Sequence, residues 1–129
     1  MAQMADVLVP LPPPFVDDRG TIQNLAEASF GSALVITSRA GAIRANHYHK
    51  TDYHYCWMQS GKMMYYERPV GSTAEPVAVT VSAGQVVYTA PMQEHAMRFV
   101  EDSVMLCFAR NSRLMESYEA DTVRVTLIS

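Results

Sequence analysis

The sequence predicts an all-β sandwich or barrel. Two observations carry that prediction. Short segments of strand character recur along the chain with glycine or polar punctuation between them, and no amphipathic helix is convincing outside about 26–31 and 112–119. The 129 residues lie near the commonest domain size and no linker divides them, so 1–129 is expected to be a single domain.

Taken in order, PLPPPF at 10–15 excludes a helix, because proline fixes φ and lacks the N–H donor. An extended polyproline arm is expected over about 1–16. Asp17-Asp18-Arg19-Gly20 reads as a tight turn. Strands are expected near 21–25, 33–38, 42–48, 54–60, 63–68, 77–81, 85–90, 95–100 and 103–110, with Gly41, Gly61 and Gly84 between them. Ser60-Gly61-Lys62 reads as a hairpin turn joining YHYCWMQ to MMYYE.

Hydrophobic residues at 49% and charged residues at 18% fit an ordinary globular chain. The net charge is −3 and the ten Lys and Arg form no run, so nucleic acid is not an expected partner. The start, MAQMADVLVPLPPPF, has no basic segment leading into an unbroken apolar one, and no apolar run reaches about 18 residues. Neither a signal peptide nor a membrane span is expected. Cys56 and Cys107 are far apart and match no C-x-x-C pattern, so reduced thiols in a cytoplasmic protein are expected. No Ser-His-Asp constellation, P-loop or G-x-G-x-x-G points to hydrolase, kinase or dinucleotide chemistry.

Three of the four histidines, His47, His49 and His54, fall within eight residues, and the fourth is His95. On a strand, alternate side chains share a face, so His47 and His49 project together. Four residues later, a turn or bulge can return His54 beside them. Imidazoles gathered about 2.1 Å from one ion suit zinc, nickel, iron or copper. The plainer alternative is a surface H-x-H pair with an unrelated His95.

Gly41, five residues, His47-Tyr48-His49, four residues, His54, six residues, Gly61 resembles the first motif of the cupins, G(x)5HxH(x)4E(x)6G. Every spacing agrees, and His54 stands where that family usually has Glu. The second motif, G(x)5PxG(x)2H(x)3N, is matched in part. Ten residues separate Gly84 from His95, Pro91 lies one place late, the second Gly is missing and Phe99 replaces the Asn. The resemblance implies a jelly-roll barrel, the double-stranded β-helix, and makes His47, His49, His54 and His95 the ligands of one transition metal. Iron, nickel, zinc and copper all suit a nitrogen-rich set.

A narrower resemblance concerns substrate. Asp18-Arg19-Gly20, the run Arg44-Ala45-Asn46-His47-Tyr48-His49-Lys50 and the tail Tyr118 to Arg124 are similar to the cupins that isomerise or epimerise nucleotide-linked keto-sugars. There an R-G-x-H-x-H-K run supplies a general base and a phosphate-binding Arg; the family's Gly is Ala45 here. His49 and Arg44 are therefore the catalytic candidates. A metal-bound imidazole does not also accept a proton, so a full set of four ligands fits that acid–base mechanism poorly.

Arg44 offers a fork of donors for a phosphate or carboxylate, but strict alternation places it opposite His47 unless a bulge intervenes. Tyr65, Tyr88 and Arg98 are further candidates for ligand contact, although packing is the commoner role of a barrel tyrosine. Cys56 and Met58 share parity with His54, and Met97 and Phe99 share it with His95, as core or pocket wall. Glu116, Glu119 and Asp121 read as a solvated tail or a dimer contact. The expected function is metal-dependent isomerisation or epimerisation of a small polar molecule, with a cupin dioxygenase or a non-catalytic binding module as alternatives. Edge strands and the proline arm suggest a homodimer.

Overall fold

The computed structural model describes residues 7–129; the first six positions of the expected arm lie outside the described residues. Beyond them the arm is extended as the prolines require. Val7 is buried, Leu8 forms an isolated bridge with Val87, and the Val9 N–H donates to Val86 O, so this end of the arm lies on a barrel strand. β1 (Phe15–Asp17) and β2 (Gly20–Ile22) form a small ribbon around the expected 17–20 turn, with Phe15, Val16 and Ile22 largely exposed.

Two antiparallel sheets follow. The first contains β3 (Ser32–Ser38), β10 (Ser103–Ala109), β5 (His54–Ser60) and β8 (Val86–Thr89), in the order β3-β10-β5-β8. The second contains β11 (Thr122–Arg124), β4 (Ile43–His49), β9 (Gln93–Phe99), β6 (Lys62–Pro69) and β7 (Val77–Ser82), in the order β11-β4-β9-β6-β7. Along β6 and β10, buried and half-buried positions alternate, the period-2 pattern of strands with one face toward a core. That core holds Met58, Met63, Val81, Phe99 and Met105, all 1% exposed or less. Unbranched methionines fill the irregular space between twisted sheets. The segment 26–31 forms no helix, and the one helix among the described residues beyond position 7 is α1 (Met115–Asp121).

One local expectation is corrected. β5 and β6 are not a hairpin: Ser60-Gly61-Lys62 does turn the chain, but it carries it from one sheet to the other. Gly61 has φ +92°, and a Cβ there would overlap Ser103 and the Asp102 carbonyl. The glycine serves a crossing against the start of β10, where local spacing alone resembles a two-strand hairpin.

A second correction concerns the cysteines, which are joined in a disulfide. Cys56 and Cys107 are directly opposed in the β5–β10 register, with Cα atoms 4.2 Å apart. Their 51-residue separation in sequence concealed an immediate cross-strand pairing.

Candidate active site

Between the sheets lies a cavity of about 510 Å³, lined from both of them. His47 and His49 reach it from β4 and His95 from β9, where His95 is the register partner of His47. His54 enters from β5 on the opposite sheet. The ring centroids of His47 lie 4.6 Å from His49 and 4.7 Å from His95; those of His54 lie 5.2 Å from His95 and 5.9 Å from His49. All four sequence-selected histidines line the cavity, three from one sheet and one facing them, but only His47, His49 and His95 are close enough to share an ion as they stand, and His54 lies outside that group.

The question of which nitrogens are available is answered by what the rings touch. His95 Nδ1 lies 3.0 Å from the Gln93 carbonyl, which only accepts, so Nδ1 carries the proton and Nε2 the lone pair. That Nε2 is buried with no hydrogen-bond partner. His49 Nδ1 lies 3.2 Å from Thr122 Oγ1, whose own proton goes to the Tyr118 carbonyl at 2.6 Å, so His49 Nδ1–H donates to the hydroxyl. A carboxylate oxygen of Asp121 lies 3.9 Å from the same nitrogen.

Burial holds every imidazole below its ordinary range. His47 is brought down to about 2 by desolvation, then by His95 and His49. His95 is brought down to about 4 by desolvation, partly opposed by the Gln93 carbonyl. His54 is lowered strongly by desolvation and then by the other three rings. His49 is lowered by desolvation against the opposing pull of Asp52 and Asp121. Four neutral rings at neutral pH are the form that ligates a cation.

The residues fit a metal on this geometry. One ligand nitrogen from each of His47, His49 and His95 lies within 4.8 Å of the others. Nitrogens about 2.1 Å from a common ion stand at most about 4.2 Å apart, so sub-ångström ring shifts close the set. The orphaned Nε2 of His95 is the acceptor such an ion would satisfy.

Arg44 also lines the cavity, and the backbone explains how. A register shift between Ala45 and His47 inserts an extra residue into β4, with Ala45 at φ +69° and Asn46 at φ +54°. The bulge resets parity so that Arg44 and His47 share the inner side, as strict alternation forbids. Asn46 tolerates the left-handed conformation and anchors the C-terminal segment: its Oδ1 accepts from the N–H groups of Leu127 and Ile128. Arg44 Nε donates to Ser38 Oγ at 2.8 Å and its Nη2 to the Thr37 carbonyl at 2.9 Å.

The other ligand-contact candidates lie elsewhere. Tyr65 is wholly buried, its hydroxyl 2.6 Å from both Glu67 Oε1 and Thr89 Oγ1. Tyr88 belongs to an aromatic cluster with Tyr53 and Tyr55 and does not line the cavity. Arg98 is outside it too, donating to the carbonyl of Ser129. Packing claimed Tyr88, and hydrogen bonds to other parts of the chain claimed Tyr65 and Arg98, since parity and residue type do not distinguish a pocket wall from the rest of a barrel face. Of the parity-matched residues, Cys56 and Met97 line the cavity, while Met58 and Phe99 are core.

Sequence reasoning missed Arg113, Tyr118 and Arg124 as cavity residues. Arg113 stacks over the Tyr118 ring at 3.6 Å, and Tyr118 lies 5.7 Å from His49 and 6.2 Å from His47 between centroids. Arg124 is paired with Glu119 at 2.8 Å. Asp121 is no solvated tail residue: it accepts from the Thr51 N–H, the Thr51 hydroxyl and the Asp52 N–H, fixing the loop between His49 and His54. The Tyr118–Arg124 resemblance marked this segment, but a seven-residue helix with no buried positions gives no pattern from which to dock it.

No protein-family model matches the sequence, and no curated protein matches it significantly. Solved structures do. The capsular polysaccharide assembling protein CapF of Staphylococcus aureus matches over 90% of this chain at 25% identity with a TM-score of 0.67, and this chain spans about a third (34%) of its length. The sugar 3,4-ketoisomerase QdtA of Thermoanaerobacterium thermosaccharolyticum, solved with TDP, matches at 16% identity and TM-score 0.70, covering 88% of this chain and 84% of its own. The dTDP-4-dehydrorhamnose 3,5-epimerase of Sulfolobus tokodaii matches at 16% identity and TM-score 0.73, covering 92% and 77%. The expected architecture is thereby borne out: the chain has the double-stranded β-helix (jelly-roll) fold that these solved structures share.

Proposed function

We propose that this cupin moves a proton beside a carbonyl of a nucleotide-linked keto-sugar, isomerising or epimerising it, at a metal centre built from His47, His49, His95 and His54. One observation carries the reading: four neutral imidazoles converge in a cavity that Arg44, Arg113 and Arg124 also line. The volume, about 510 Å³, suits a small-molecule ligand. Arg44 is held by Ser38 and Thr37 and Arg124 by Glu119, so Arg113 is the guanidinium whose N–H donors support a nucleotide diphosphate lying toward it. A bound metal ion supplies Lewis acidity at the substrate carbonyl.

The chain's own residues do the rest. Thr122 and the Gln93 carbonyl hold the His49 and His95 rings in the tautomer that keeps Nε2 unprotonated. Tyr118, whose ring lies beside those of His47 and His49 at the cavity, is the hydroxyl-bearing side chain assigned to exchange a proton with the sugar.

A second reading is favoured by one contact. Thr122 and Asp121 behind His49 form the orienting arrangement of a general base, so His49 would act in acid–base catalysis without a metal. Elemental analysis separates the two: stoichiometric transition metal supports the first, and fully active protein with only traces supports the second. The activity itself is tested by incubation with a dTDP-linked 4-keto-6-deoxyhexose in D2O. Deuterium entering a carbon next to the carbonyl is expected by NMR, and no exchange at stoichiometric protein would overturn the function. Oxygen consumption with that sugar would favour the dioxygenase alternative.

The exposed Phe15, Val16 and Ile22 support the expected homodimer, since an isolated two-stranded ribbon is marginal in water and gains stability by packing on another surface. No helix among the described residues is long and apolar enough to cross a membrane.

A further inference from the structure

The ring nitrogens of the histidines are set by different partners, and one of those partners is redox-active. His95 is fixed by a backbone carbonyl and His49 by a hydroxyl. For His54, the polar atom within reach of Nδ1 is Cys56 Sγ, at 3.5 Å. This sulfur belongs to the Cys56–Cys107 disulfide, and both cysteines line the same cavity as the histidines. A disulfide sulfur has no hydrogen and can only accept. His54 Nδ1 must therefore carry the proton for the contact to be favourable, and Nε2 keeps the lone pair.

We propose that the Cys56–Cys107 disulfide is the positioning group for the fourth histidine, holding His54 in its Nε2-ligating tautomer, and that a dithiol releases it. The inference rests on reading the four histidines as one metal centre. It concerns the position where the cupin motif usually carries a carboxylate. Glu needs no tautomer; an imidazole does, and here a cross-strand disulfide supplies it.

Reduction is balanced by the dithiol. One of its thiolates attacks Sγ of Cys107, the slightly less buried of the two residues, and the S–S bond breaks to leave the Cys56 thiolate. The second thiol of the reductant then attacks the mixed disulfide and departs as a cyclic disulfide. The protein gains two electrons and two protons, becoming two thiols. Cys56 S–H can then donate to Nδ1 as well as accept from it, so the sulfur no longer selects one tautomer.

Two readouts test this. In chelator-treated, histidine-15N-labelled protein, NMR should show His54 as a single Nδ1–H tautomer when oxidised and as a mixture after reduction, with His49 and His95 unchanged. In parallel, Zn2+ affinity measured by competition, after removal of the dithiol under anaerobic conditions, should fall by about tenfold on reduction, the lower end of the range for a ligand-orienting partner. The Cys56→Ser/Cys107→Ser protein, shown folded by circular dichroism, should sit at the reduced affinity under both conditions. If that variant does not fold, reduction of the native chain reads the same quantity. Identical His54 tautomers in both states would overturn the proposal, as would two free thiols persisting after oxidation or tighter Zn2+ binding on reduction. A redox-dependent tautomer without Zn2+ binding in either state would instead overturn the metal reading, and with it the ligating role claimed for His54.

Discussion

Ala45→Gly should stabilise the protein, although it removes a methyl group from a strand. Ala45 sits at φ +69°, a conformation that costs an L-residue with a Cβ roughly 1–2 kcal/mol. Glycine adopts it freely but loses about 0.5–1 kcal/mol more chain entropy on folding. The difference favours glycine by about 0.5–1 kcal/mol. With a urea dependence of about 1–3 kcal/mol per molar for a small domain, the unfolding midpoint should rise by roughly 0.2–1 M at unchanged slope. Ala96 provides the control. It is the register partner of Ala45 across β4–β9, is wholly buried, and is not among the positive-φ residues. Ala96→Gly should therefore lower the midpoint by a similar amount. The same backbone irregularity brings Arg44 round to the cavity. A midpoint that falls in Ala45→Gly as far as in Ala96→Gly would refute the strained bulge and the account of Arg44 built on it.

The site makes three further predictions. His95→Ala should abolish stoichiometric metal retention and His54→Ala should weaken it by about tenfold or more, measured by elemental analysis and Zn2+ competition; unchanged occupancy in His54→Ala would remove it from the ligand set. Arg113→Ala should raise the Kd for dTDP by about tenfold with the far-UV circular dichroism unchanged, and equal affinity would exclude this guanidinium from phosphate recognition. Stability of the chelator-treated protein should depend on pH through His95, whose native pKa lies at about 4 against an ordinary 6.5. Between those values the unfolded chain binds a proton that the native chain refuses, so stability is complete above pH 6.5 and is lost as pH falls toward 4, by about 3 kcal/mol in all. Urea titrations of native and His95→Gln protein should diverge in pH slope over that window, and parallel slopes would show that His95 is not buried neutral.

The parts legible in the sequence are those that depend on short-range periodicity. His47-Tyr48-His49 on one strand face, the Asp17–Gly20 turn and most of the strand positions follow from local chemistry. The glycine spacings add His54 and His95, because a motif encodes long-range geometry that alternation does not. What escaped was decided by register and docking. Cys56 meets Cys107 because β5 and β10 pair at that offset, which no local pattern fixes. Arg113 and Tyr118 reach the cavity because α1 is tied back through Thr122 and Asp121 to the His49 loop, by hydrogen bonds rather than an apolar stripe. Arg44 required a bulge that the sequence only allowed for.

These long-range contacts share an end point, and that bears on how the site works. His49 is oriented by the Thr122 hydroxyl, and the Asp121 carboxylate also fixes the backbone of Thr51 and Asp52, two residues before His54. The Asp52 carboxylate in turn accepts from the Asn111 N–H at the end of β10, the strand that carries Cys107. One chain of hydrogen bonds thus links the backs of His49 and His54 to the C-terminal segment that presents Tyr118. The histidines on opposite sheets are braced from outside the cavity, leaving their inner nitrogens without protein partners. A cluster serving only as core would consume those nitrogens in hydrogen bonds, because a buried unpaired acceptor costs about 1–3 kcal/mol. His95 Nε2 is left unpaired in the deepest part of the set. That buried acceptor, aimed at the ring cluster and paired with no protein group, is the strongest physical argument for reading the cluster as a site rather than as core.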